Sequence, residues 1–162
     1  MSRRIASANG PSSSPSKAEV AGFEVVRRTS LSAADAWRRV TDWDRHGDHV
    51  PFTRITASRE AATGEVSFVA RTAVGPVGFD DVMAVTYSRP PTDTAPGIAR
   101  IVKQGRVVLG WAVLIVTPTG SGSEVRWHEE ARLRGTGGLV VALVDRVVAR
   151  GFGRLLDGLL SD

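Results

Sequence analysis

Apolar and polar residues alternate through the middle of the chain, and a helical spacing takes over at its end. Residues 139–160 read LVVALVDRVVARGFGRLLDGLL. Val140, Val144, Val147, Val148, Gly151, Leu155 and Leu159 recur at helical steps, so they share one stripe. Asp145, Arg146, Arg150, Arg154 and Asp157 fall largely on the opposite side. Thr136 stands where an N-cap would. A helix this long with one apolar face needs another layer to bury that face.

The rest of the chain supplies that layer. Residues 23–30 alternate around Phe23, Val25 and Arg27 and predict a first strand. Leu31-Ser32-Ala33-Ala34-Asp35 signals a helix start. Ser32 is the expected N-cap, Asp35 occupies the place of the capping-box acid, and Leu31 can staple to Ala36. Ala33, Ala36, Trp37 and Val40 make the buried face of a short helix, and a second turn is expected over 42–48. Strands are then expected over 52–58, 65–73, 79–88, 98–103, 106–117 and 123–133. Turns at Gly75-Pro76 and Gln104-Gly105, a loop over 89–97 and a turn over 118–122 separate them. The predicted order is strand, two short helices, six strands, long helix.

Parity assigns faces to these strands. In the last one, Glu124, Arg126, His128, Glu130 and Arg132 belong in water, and Val125, Trp127, Glu129, Ala131 and Leu133 belong against the helix. His128 is therefore expected at the surface. A hairpin closing at Gly120 would put Trp111, Val113 and Ile115 on the inner face. A Gly75-Pro76 turn pairs Thr72 with Phe79, Ala70 with Asp81 and Phe68 with Met83, which sets Phe68, Ala70, Phe79, Asp81, Met83 and Val85 inward. Arg71 and Asp80 then oppose each other outside. A slip of one residue would reverse any of these faces.

Two acids, Asp81 and Glu129, thus fall on an apolar inner face. An unpaired charge in a dry core is very costly, so each acid needs a partner or a polar cavity. Arg100 and Lys103 are candidate partners, with facings the sequence leaves open. Trp37, Trp43, Trp111 and Trp127 suit core packing, and four of them also suit the wall of a wide apolar pocket. Gly151, Gly153 and Gly158 in the long helix either permit close approach, allow a bend, or are tolerated.

Length and composition narrow the classes. A chain of 162 residues, 42% hydrophobic and 23% charged, is expected to form one domain over 22–162. The Ser- and Pro-rich stretch over 1–21 is expected to be a disordered tail. The net charge is +4, and half of it comes from Arg3, Arg4 and Lys17 against Glu19 in that tail. With the remainder near balance, nucleic acid is not an expected partner. There are no cysteines, which excludes disulfides and thiolate chemistry. Arg3 and Arg4 have no apolar run behind them, so no secretory signal is read, and Asp145 interrupts the longest apolar run, so no membrane span is expected. A cytoplasmic location follows as an expectation.

Asp42, Asp44, His46, Asp48 and His49 crowd one turn and suggest a metal loop. A calcium loop needs a bidentate Glu at its twelfth place, and counting from Asp42 that place is Thr53. The turn reads as polar, with no metal site expected. No Gly-rich phosphate loop or nucleophile elbow is present.

Local wording adds a resemblance. Ala34-x-x-Trp37-x-x-x-x-Asp42-Trp43 followed by His49-Val50-Pro51, then Gly78-Phe79-Asp80-Asp81-x-Met83, Gly105-x-Val107-Val108-x-Gly110 and Val125-x-Trp127-x-Glu129, resemble in order the SRPBCC superfamily. This superfamily is also called START-like or Bet v 1-like, and the likeness is nearest the group named polyketide cyclase/dehydrase and lipid transport. It covers residues 22–160. It implies an α+β helix-grip fold, a curved antiparallel sheet of about seven strands wrapped on the C-terminal helix. It also implies a deep apolar cavity between sheet and helix, and no universal catalytic residue or cofactor. The implied wall is Phe68, Phe79, Asp81, Met83, Trp111, Trp127, Glu129 and Phe152, with Trp37 and Trp43 near the mouth. The oxygenase branch is excluded, because an iron–sulfur cluster needs cysteine ligands.

Three functions follow from that resemblance. The first is binding of a small hydrophobic molecule, a lipid or polyketide-like aromatic, with Asp81 or Glu129 orienting a polar end. The second is a polyketide aromatase/cyclase-dehydratase in which Asp81 or Glu129 is the catalytic acid or base. The third is a protein-interaction module with a vestigial cavity. The sequence leaves the ligand and the oligomeric state open.

Overall fold

The computed structural model describes residues 21–49, 53–60, 65–74, 77–106, 108–133 and 138–161, with the backbone alone at 21, 72–74, 77–79, 133 and 138–149. The expected tail, the Gly75-Pro76 turn, the Thr136 cap and the side chains of Val140, Val144, Val147 and Val148 lie outside this description.

The chain runs β1 (Ala21–Thr29), α1 (Ala33–Val40), a 3-10 helix (Trp43–His49), β2 (Thr53–Arg59), β3 (Val66–Val74), β4 (Val77–Arg89), β5 (Gly97–Gln104), β6 (Val108–Thr119), β7 (Gly122–Leu133) and α2 (Gly138–Ser161). That is the predicted order, with ends moved by at most two residues. The strands form one antiparallel sheet in the order β1-β7-β6-β5-β4-β3-β2. Each strand from β2 to β7 pairs with its neighbour in sequence, and β1 closes the far edge on β7. The α2 helix lies against β1, the 3-10 helix and α1.

Ser32 caps α1 as its sequence predicts. Its Oγ accepts from the Asp35 amide at 3.1 Å, and its hydroxyl donates to the Asp35 carboxylate at 2.6 Å. Ala33, Ala36, Trp37 and Val40 are buried, as the spacing requires. At the other edge of the sheet, the Ala57 amide on β2 donates to Asp44 Oδ1 at 3.1 Å.

Val40, Ile101, Leu114, Val116, Val125 and Leu156 are wholly out of solvent and define the centre of the core. Burial of each contributes about 1.5–3 kcal/mol. A row of rings continues from this core beneath the C-terminal half of α2. Phe23 meets Phe152 at 5.3 Å, Phe152 meets Trp127 at 4.9 Å, and Trp43 stacks on Phe68 at 5.0 Å. His46 joins the two groups, 5.1 Å from Trp43 and 6.2 Å from Trp127. Its Nε2 bonds the Val40 carbonyl oxygen, and burial pushes its pKa down to about 4. Gly158 of α2 allows a close approach here, since a Cβ on it would fall 2.2 Å from His49 Nδ1, whereas Gly151 faces open space.

The register of β3 on β4 is the expected one: Thr72 faces Phe79, Ala70 faces Asp81 and Phe68 faces Met83. Arg71 and Asp80 pair outside at 3.1 Å, both largely exposed. The register of β6 on β7 corrects the expectation for Trp111, Val113 and Ile115. The hairpin loop is Gly120-Ser121, with Thr119 paired to Gly122. Trp111 therefore faces Glu130, and Ala112 and Leu114 take the inner positions opposite Glu129 and Trp127. One residue of loop reverses the face of a whole strand. Trp111 is 39% exposed on the outer face, tilted against His128 at 5.2 Å, and lines nothing between sheet and helix.

Candidate functional site

Three charged side chains meet on the concave face: Asp81 from β4, Lys103 from β5 and Glu129 from β7. Lys103 sits opposite Met83 on one side and Gly110 on the other, which fixes it inward. The strand between Lys103 and Glu129 is β6, and it presents only Gly110 and Ala112 there. These small residues leave room for the lysine stem to cross a strand. Gly110 has φ +153°, and a Cβ on it would meet the Glu130 carbonyl oxygen at 2.0 Å, so only glycine fits.

The Lys103 ammonium donates to Asp81 Oδ2 and lies 3.2 Å from Glu129 Oε1. It also approaches Met83 Sδ at 3.6 Å. Glu129 Oε2 accepts from Trp127 Nε1 at 3.0 Å. All three residues are buried. Arg100, the other candidate partner, points outward and lies over the Tyr87 ring.

The two acids are not equivalent. Both oxygens of Glu129 are engaged, one by Lys103 and one by Trp127. Asp81 Oδ1 is buried and accepts no hydrogen bond among the described residues. Burial pushes the Asp81 carboxyl above its ordinary range, and the pull of Lys103 does not cancel it. Burial works to lower the Lys103 pKa, but Glu129 and Asp81 together outweigh it, so the lysine stands above its ordinary value and is a cation at neutral pH. A cationic lysine positions and polarises; it is not a nucleophile.

The other expected wall residues separate into groups. Phe68, Met83 and Trp127 are buried on the concave face, and Phe152 of α2 is half-buried against the core. Trp37 and Trp43 are buried in the apolar cluster. The Phe79 backbone pairs with Thr72, and its side chain lies outside the description. Trp111 is on the outer face. Lys103 emerges as the centre of the cluster, a place the sequence offered only as one of two partners. A separate open groove of about 530 Å³ runs along the β1 edge between Arg27, Arg150, Arg154 and Asp157, away from β4 and β5.

No family model matches the sequence, and no curated protein matches it. Solved structures do match. The aromatase/cyclase Zhui from Streptomyces sp. R1128 superposes with a TM-score of 0.66 at 12% identity, over 88% of this chain and 93% of that one. The di-domain ARO/CYC protein StfQ of the steffimycin biosynthetic pathway gives 0.65 at 15% identity, over 88% of this chain, which spans 50% of StfQ. A STAR-related lipid transfer protein from Xanthomonas axonopodis gives 0.63 at 17% identity, over 86% of this chain and 84% of that one. At these identities the likeness is one of fold. The chain has the α+β helix-grip fold of START-like proteins, as the ordered motifs imply. Among the described residues no helix is long and apolar enough to cross a membrane.

Proposed function

We propose that this chain binds one small hydrophobic molecule, a lipid or polyketide-like aromatic, on the concave face beneath α2, with the molecule's polar end at Asp81. The observation that carries this reading is Asp81 Oδ1. A buried acceptor without a partner costs about 1–3 kcal/mol, and a ligand donor would recover that loss. Apolar burial supplies the affinity and one polar contact supplies orientation. Phe68, Met83, Trp127 and Phe152 lend the wall its apolar character. Lys103 and Glu129 hold Asp81 in place, and Trp127 holds Glu129.

Native mass spectrometry of the freshly purified chain, followed by solvent extraction, tests this. The expected result is one co-purified hydrophobic molecule per chain, or a thermal shift with a member of a lipid and aromatic panel. A clean apo mass with no shift across the panel overturns it.

A second reading draws on the raised Asp81 carboxyl. A carboxyl whose pKa is raised by burial, with one oxygen uncommitted, suits acid–base work on an enolisable ketone. Under an aromatase/cyclase reading Asp81 would move the protons and Glu129 would only position Lys103. Asp81→Asn would then abolish turnover of a poly-β-ketone while binding persists. Equal turnover by that variant removes the enzyme reading.

A further inference from the structure

We infer that the Asp81 end of the concave face selects a ligand whose polar end is an uncharged hydroxyl, alcoholic or phenolic, and discriminates against carboxylates. This rests on the ligand-binding reading above and names the chemistry of its polar end. The argument begins with charge. Asp81, Lys103 and Glu129 bring two carboxyl groups and one ammonium to a buried spot. Lys103 is already shared between both acids, so an incoming carboxylate finds no uncommitted cation and adds a further negative charge to a low-dielectric site.

A hydroxyl avoids that penalty, and it both donates and accepts. It donates to Asp81 Oδ1 when that carboxyl is ionised, and accepts from it when the carboxyl carries its proton. Burial raises the Asp81 pKa, so a ligand group that satisfies either form has an advantage over one that satisfies a single form. Nothing else in the cluster competes for this role. Glu129 is saturated by Lys103 and Trp127, and the neighbouring positions on β6 are Gly110 and Ala112, which carry no polar side-chain atom.

The test uses the wild-type chain at pH 7 and matched probes on two scaffolds. Decanol and decanoate form one pair; 2-naphthol and 2-naphthoate form the other. Affinities are read by calorimetric titration. The expected result is that on every scaffold that binds, the hydroxyl probe binds about tenfold or more tightly than the carboxylate. A carboxylate that binds as tightly as its hydroxyl counterpart overturns the selectivity and leaves the binding function standing. No binding by any of the four overturns both. Asp81→Asn sharpens the result: the amide keeps a contact for the hydroxyl but removes the acid. Decanol or naphthol affinity is expected to fall, and the gap to the carboxylate probe is expected to shrink about tenfold. A gap that survives in a folded Asp81→Asn variant places the discrimination elsewhere and overturns the assignment to Asp81.

Discussion

On β5, Ile101 and Lys103 are two residues apart and share the concave face, yet their surroundings are opposite. Ile101 is fully buried in a cluster with Leu114, Val116, Val125 and Leu156. Lys103 is nearly as buried but ends between two carboxyl groups. The apolar end is held by many small, interchangeable contacts, so its side chains fail one at a time and roughly in proportion to the atoms lost. The charged end is a single unit. Lys103 is tolerable only beside a carboxylate and the two acids only beside Lys103, so loss of the lysine leaves both acids buried and uncompensated. Stability is spread at one end and conditional at the other. A conditional, partly unsatisfied cluster is where a fold has chemistry to offer a ligand.

The largest expected effect breaks the charged end. Lys103→Met leaves Asp81 and Glu129 facing each other without a cation and is expected to cost about 3–5 kcal/mol, measured by urea denaturation. Adding Asp81→Asn and Glu129→Gln to that variant should recover most of the loss, because the burden is the uncompensated charge. No recovery would mean that shape, not charge, sets the cost. Next is the apolar end: Leu114→Ala is expected to cost about 3 kcal/mol from lost transfer energy and a cavity. Partial rescue by Leu114→Val is expected there, whereas no change of size should rescue the lysine variant. The smallest effect concerns His46, which sits in the ring row with a pKa lowered to about 4 from 6.5. A folded pKa below the unfolded one means that the unfolded chain binds the extra proton first as pH falls. The stability contribution is complete above about pH 6.5 and is lost as pH falls towards 4, at about 1.4 kcal/mol per unit. Denaturation curves should be level from pH 7.5 to pH 6.5 and fall towards that slope by pH 5.5, and His46→Gln should flatten the fall.

Much of the frame was legible in the residues. The order of elements followed from alternation, and the β3–β4 register from a turn dipeptide. Parity alone put Asp81 and Glu129 inside, which is where they are. What failed, failed at loops. The β6 face depended on whether the hairpin closes over one position or two, and no side-chain pattern in 108–119 could decide it, because apolar residues occupy both parities there. Trp111 was misplaced for that reason. The facing of Lys103 was hidden differently. A register shift between Val85 and Tyr87 interrupts the β4–β5 ladder, so parity cannot be counted through it from the well-marked Asp81. His46 was read with its acidic neighbours as part of a polar turn. The clue was its spacing of three from Trp43, which puts both on one face of a 3-10 helix.

The Asp44 carboxylate on the β2 amide has a consequence for how copies of this chain meet. The sheet is open, and β2 is one of its two outer strands. An outer strand with free amides is a template on which a second molecule can extend the sheet, the first rung of a fibre. Asp44 occupies one of those rungs from within the same molecule, and its charge stands where a foreign carbonyl would have to dock. The short turn after α1 thus acts as a guard rail across the middle of that template.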